Sequence, residues 1–240
     1  MQKEQPDPTR RKARPKPADT THDPAHAPAH EAAHDPARHH PYHHGSLPDA
    51  LLRAAETVLQ RDGLKGLTLR AIAREAGVSH TAPQHHFGDT AGVLSELAAS
   101  GHRRLAASMA EYAAAAKPGV ARRKAIARGY VDFAVRNADL FRLMSRNELL
   151  DPDRPSLVEA RRTSARGLAG VFDVASGEPR AANATFGALS AADAIAMTSA
   201  WGHVHGLTSL LIDNRLTALA ASTGAFRDAR ELVDTVIEQM

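Results

Sequence analysis

Histidine is the residue whose spacing first suggests chemistry. His22, His26, His30 and His34 recur every four residues, and His39, His40, His43 and His44 follow. On a continuous helix that spacing would line imidazoles along one face, as a metal site requires. Pro24, Pro28 and Pro36 interrupt any such helix, and the composition of the stretch accounts for the repeat by itself. The stretch therefore reads as a solvated tail without a metal site. A second set, Ser79, His80, Thr81, Gln84 and His85, offers a different chemistry: short and medium polar side chains suited to base edges and phosphates. Nothing comparable points to catalysis. No carboxylate pair, activated serine, Walker loop or dinucleotide glycine fingerprint stands in a suitable setting. The chain has no cysteine, which excludes disulfides, thiolate zinc sites and cysteine nucleophiles. No catalytic residue, cofactor or enzymatic activity is expected.

The elements that must hold the second set are short and well punctuated. Ser46, with Asp49 three residues on and Pro48 in the first turn, starts a helix whose apolar face is Leu47, Leu51, Ala54, Ala55 and Val58. Asp62-Gly63 is its expected stop. Thr68 caps a helix from Leu69 to Ala76, and its free backbone N–H groups point toward a phosphate, with Arg70 beside them. Gly77 supplies the sharp turn that follows. Ser79 is expected to cap a third helix through about His86, with Pro83 as its fourth residue, and Val78 and Phe87 anchor the underside. A long helix, a short helix, a glycine turn and a short helix with a polar tip form the grammar of a helix-turn-helix unit, which lodges its last helix in the major groove of double-stranded DNA.

Beyond Asp89 the pattern predicts alanine-rich amphipathic helices over about 90–116, 120–136, 138–149, 156–174, 187–213 and 223–238, with no strand signal. The expected fold is all-α: a three-helix head at 45–105, then a multi-helix ligand-binding and dimerisation bundle at 106–240. Residues 1–44 are rich in Pro, His, Ala and Asp and almost free of aliphatic side chains, so they are expected to form a disordered basic, His-rich arm. Leu207, Leu210, Leu211, Val233, Val236 and Ile237 suggest a homodimer face. A small-molecule effector would meet apolar and polar groups between body helices, and the candidates are Tyr130, Phe133, Met144, Phe172, Met197, Trp201 and His205. Each of them also fits ordinary core packing. No signal-peptide-like stretch or membrane span is evident, so a cytoplasmic protein with no membrane partner is expected.

Tyr42-His-His-Gly45, the Leu-Thr-Leu-Arg and Ala-Gly-Val-Ser segments, and His86-Phe87 before Asp89 resemble the TetR-type regulators over roughly residues 42–105. Leu140-Phe141-Arg142-Leu143-Met144, and Trp201 with His205-Gly206, resemble the C-terminal body of a TetR subgroup with a Trp-His-Gly signature. The resemblance implies a homodimer whose two heads read a roughly palindromic operator. It also implies a body whose small ligand changes head spacing, usually relieving repression. The family commonly has tyrosine where Gln84 stands and lysine where Thr90 stands, both touching phosphates. The head is only marginally cationic: Arg53, Arg61, Lys65, Arg70, Arg74, Arg103 and Arg104 stand against Asp49, Glu56, Asp62, Glu75, Asp89 and Glu96. The basic knot at Arg10, Arg11, Lys12, Arg14 and Lys16 is the available supplement for phosphate binding. His80, His85 and His86 would tighten binding on acidification if they face phosphates, unless His86 merely packs beside Phe87. The alternative function is a helical small-molecule or metal-binding protein with weak or lost DNA binding.

Overall fold

A serine hydroxyl opens the first helix. In the computed structural model, which describes residues 46–169 and 191–240, Ser46 Oγ accepts from the Asp49 backbone N–H at 3.4 Å and starts α1 (Leu47–Gly66). Leu51, Ala54, Ala55, Val58 and Leu59 follow the period of one helix face, and all five are buried. At Gly63 the backbone leaves helical geometry, φ 67 and ψ −174, so the straight run ends where the sequence predicts and one further turn follows. Thr68 Oγ1 accepts from the Ala71 N–H at 3.1 Å and caps α2 (Leu69–Ala76), which buries Ile72 and Ala73. Gly77, left-handed at φ 67, closes α2 by donating to the Ala73 and Arg74 carbonyls.

The third helix differs from expectation at its start. Ser79 belongs to a turn: its carbonyl accepts from the Ala82 N–H at 3.0 Å, and α3 (Ala82–Phe87) begins only after Thr81. Pro83 is consequently the second helical residue, where it removes no intrahelical hydrogen bond, and its ring is buried. Gly88 at φ 86 then turns the chain into α4 (Thr90–Ala114), capped by Asp89 Oδ1 on the Gly92 N–H at 2.8 Å.

At about 1.5 Å per residue, α4 is a rod of roughly 37 Å shared by head and body. It packs along α5 (Val120–Arg136), α6 (Ala138–Met144) and α7 (Pro155–Ala169). Gly101 permits the close approach of α6, since a Cβ there would lie 2.6 Å from Met144 Sδ. The single helix predicted over 138–149 is broken, because Arg146 leaves helical geometry and only one 3-10 turn, Asn147–Leu149, remains before buried Leu150.

The C-terminal elements are α8 (Ala191–Ile212), α9 (Thr217–Thr223) and α10 (Ala229–Glu238). Asn214, left-handed at φ 56, follows the end of α8, and Gly224 at φ 63 ends α9. The last helix starts at Ala229 rather than near 223, because Asp228 caps it through the Glu231 N–H at 2.9 Å. Val233 and Ile237 are fully buried in their own protomer, so neither belongs to a dimer face. The predicted segments 170–174 and 187–190 lie outside the described residues, as do 1–45. Among the described residues the fold is all-α, with a helix-turn-helix head followed by a helical bundle.

Candidate functional site

The head presents its polar residues as the sequence suggests. Thr68, Arg70, Ser79, His80, Thr81, Gln84, His85 and Thr90 are all solvent-exposed, while Ile72, Pro83 and Phe87 bury the opposite side of the same three-element unit. Val78 is packed against that core. Ser79 Oγ and Thr81 Oγ1 share a hydrogen bond of 3.0 Å, which sets the turn before α3. His86 is exposed; its ring meets His85 edge-on with centroids 5.2 Å apart and lies 6.4 Å from the Phe87 ring. A short rigid helix with an unencumbered polar tip can lodge in a major groove, and Thr68 and Thr90 stand at the start of two helices whose N–H groups suit phosphate oxygens.

Charge arrangement improves on what the head's near balance suggests. Arg61 reaches Glu75 at 2.7 Å and Asp62 at 3.0 Å, and its hydrogen bond holds the Asp62 carboxyl below the ordinary carboxylate range. Arg104 engages Glu56 at 2.7 Å, Arg154 engages Glu96 at 2.7 Å, and Asp49 and Asp89 interact with the starts of their own helices. Every carboxylate of the head therefore has a partner. Arg53, Lys65, Arg70, Arg74 and Arg103 make no ion pair among the described residues, which leaves cationic groups available to phosphates.

Head and body are bound by a polar latch that sequence reading missed. Arg154, just before α7, places Nε on Glu96 Oε1 and Nη1 at 3.5 Å from the carbonyl of Phe87, the last residue of α3. Ser156 Oγ also donates to Glu96 Oε1 at 2.8 Å, and the Asp151 N–H donates to fully buried Ser95 Oγ at 2.8 Å. Gly92 fits beneath this contact because a Cβ there would lie 2.0 Å from the Phe87 oxygen. On the other side, Arg104 of α4 also meets Asn137 at the start of α6. A signal was present in the sequence only as Arg154 among the prolines of a loop, which does not reveal its partners.

Of the candidate ligand residues, three converge. Tyr130 Oη lies 2.9 Å from His205 Nδ1, and Trp201 packs on His205 with ring centroids 6.2 Å apart. Phe141 joins them, 5.6 Å from Tyr130 and 5.4 Å from His205. Burial pushes the Tyr130 phenol up and the His205 imidazole down, so both are neutral near pH 7. Trp201 remains 54% exposed, which places it at an edge rather than within a core. Phe133 and Met144 are buried toward α4 instead, under Arg104 at 6.0 Å and against Gly101 respectively. Phe172 and the Met197 side chain lie outside the described residues. Among the described residues no cluster of three His, Asp or Glu side chains could hold a metal ion.

Comparison with known proteins gives two family matches along the chain. Residues 51–97 match the profile described as bacterial regulatory proteins, tetR family, and residues 123–240 match the tetracyclin repressor-like C-terminal domain. The chain belongs to the TetR family. A solved protein of unknown function from Rhodococcus sp. RHA1 is 33% identical to this TetR family chain, with a TM-score of 0.63 over 83% of this chain and 96% of that one. A tetR-family regulatory protein from Rhodococcus RHA1 shares the fold at 18% identity and TM-score 0.53, covering 82% and 95% of the two chains. A TetR family transcriptional regulator from Thermus thermophilus does so at 17% and 0.50, covering 78% and 94%. No curated protein matches the sequence. This TetR family member is a DNA-binding transcriptional regulator with a helix-turn-helix head.

The body of this TetR family chain also holds an unanticipated part-buried histidine. His102 of α4 places Nδ1 2.9 Å from Ser164 Oγ of α7, and burial, helped by nearby Arg161, lowers its pKa from 6.5 to about 4. Ser95, His102 and Met109 recur at seven-residue spacing and face α7 or the loop before it, so a polar residue in that stripe was the available signal. Between pH 6.5 and about 4 the unfolded chain takes up a proton that the folded site refuses, so stability falls as pH falls through that window and is independent of this group above it. His102→Leu is expected to remove about 3 kcal/mol of that acid sensitivity, measured as the difference between the urea-unfolding profiles of wild type and variant. Parallel profiles would show that His102 does not titrate differently in the two states.

Proposed function

We propose that this regulator is a repressor that sits as a homodimer on a two-fold symmetric operator and leaves it when a small molecule enters the body. The carrying observation is the exposed surface of α3 and the turn before it, where Ser79, His80, Thr81, Gln84 and His85 are open to base edges and phosphates while Arg154 fixes the end of the same helix to the body. Thr68, Arg70 and Thr90 would position the head on phosphates. Dimerisation is supported by α8, where Ile195, Gly202 and Gly206 share a face, Ile195 is 68% exposed, and no atom lies within 4 Å of a Cβ built at either glycine. Tyr130, Phe141, Trp201 and His205 are the groups best arranged to meet an effector. The proposed regulator works in the cytoplasm and catalyses no reaction; no described helix is long and apolar enough to cross a membrane.

Transcription in vitro from a promoter carrying an operator selected by the protein from random duplexes tests the sign of the output. Added protein should lower transcript yield; a rise would identify an activator and sink the repressor reading. The N-terminal arm would add to phosphate binding through Arg10, Arg11, Lys12, Arg14 and Lys16. Each phosphate it neutralises contributes about 0.9 to the slope of log affinity against log salt. Deleting residues 1–40 should therefore flatten the salt slope by about 2 or more and weaken the operator complex. An unchanged slope would assign the arm no role in DNA binding.

A further inference from the structure

His102 carries a hydrogen-bond problem that counting protons resolves. Ser164 Oγ has one proton and lies 3.0 Å from the Arg161 carbonyl and 2.9 Å from His102 Nδ1, so both contacts are hydrogen bonds only when the hydroxyl donates to the carbonyl and the imidazole donates from Nδ1. That arrangement is the Nδ1–H tautomer of His102. Its Nε2 then bears a bare lone pair, and that buried atom has no hydrogen-bond partner among the described residues. Leaving a buried acceptor unmatched is costly, and native proteins rarely do so without a reason. The residues one helical turn away are apolar: Ala98 and Leu105 on α4, Ala160 and Leu168 on α7, all buried.

We infer that His102 Nε2 is an accepting subsite for the body's effector, taking a neutral hydroxyl or amide N–H from a ligand that is otherwise apolar. This inference rests on the ligand-responsive reading proposed above and adds the ligand chemistry. A neutral donor suits the site better than a cation, because Arg161 lies close enough to oppose added positive charge. The position also gives such a ligand leverage. His102 and Ser164 lie on the two helices that meet at the Arg154 latch, six residues along α4 from Glu96 and eight along α7 from Ser156. A ligand bonded to His102 therefore touches one of the two helices that hold Phe87 through Glu96 and Arg154.

Phenol and anisole provide the minimal test, since they differ by O-methylation of the one donor. With full-length protein, calorimetry should show phenol binding about tenfold more tightly than anisole, the value of one hydrogen bond. That preference should vanish in His102→Leu and shrink in Ser164→Ala, which keeps the imidazole but releases its tautomer. Imidazole nitrogen NMR should show an unprotonated Nε2 in the free protein, shifted by phenol and not by anisole. Equal affinities, no phenol binding, a phenol preference surviving in folded His102→Leu, or a water retained on Nε2 beside bound phenol would each overturn the subsite. Operator binding by the same preparations separates the two readings. Intact operator binding without phenol discrimination removes only the subsite, whereas absent operator binding refutes the regulator itself.

Discussion

Gln84→Ala combined with His85→Ala should lower specific operator affinity on the order of a hundredfold or more, because each well-placed base contact contributes about 1 to 3 kcal/mol of discrimination. Both side chains are exposed on α3 and lie outside the core, so the thermal midpoint should be nearly unchanged. Binding to nonspecific duplex should survive, since that term comes from phosphates and from cations such as Arg53, Arg70 and Arg74. Titrations of operator and scrambled duplex by fluorescence anisotropy separate these effects. An equal loss on both duplexes would move Gln84 and His85 from base reading to phosphate positioning.

Arg154→Ala should have the second large effect, and it acts far from any base. The substitution removes the charge-assisted bond to Glu96 and the contact with the Phe87 carbonyl, leaving Glu96, whose side chain is only 20% exposed, with Ser156 alone. A partly buried carboxylate left without its cation costs about 1 to 3 kcal/mol. The end of α3 loses its tether to the body at the same time. Stability should therefore fall by that amount, operator affinity should fall about tenfold, and any effector should release the variant less completely. Arg154→Lys is the useful control, because a lysine keeps the charge but cannot reach Glu96 and the Phe87 oxygen as a planar fork. A variant that loses stability while responding to effector like wild type would reduce Arg154 to a fastener.

Short-range signals make the head legible. Ser46, Thr68 and Asp89 act as helix caps, and Gly77 takes the left-handed turn that only its lack of Cβ makes easy. Ser79 does not cap α3 as expected, because a serine can begin a turn as readily as a helix, and the Ser79–Thr81 hydrogen bond chooses the turn. Periodicity locates the body helices but not their partners. Residue type alone points to Tyr130 and His205, and only the packing of α5 on α8 brings them within hydrogen-bond distance. Long-range polar contacts leave less trace: Arg154 to Phe87 spans 67 positions and His102 to Ser164 spans 62, distances at which local pattern carries no information. The near balance of charge in the head misleads for the same reason, since Arg154 lies outside the head yet neutralises Glu96 within it.

Selection of bound duplexes from a random pool by the full-length protein probes sequence-specific DNA recognition most directly. Enrichment should converge on a two-fold symmetric site whose half-sites lie a whole number of helical turns apart, as two α3 helices on the proposed dimer demand. A pool that stays random through successive rounds, at salt low enough to permit nonspecific binding, would contradict it.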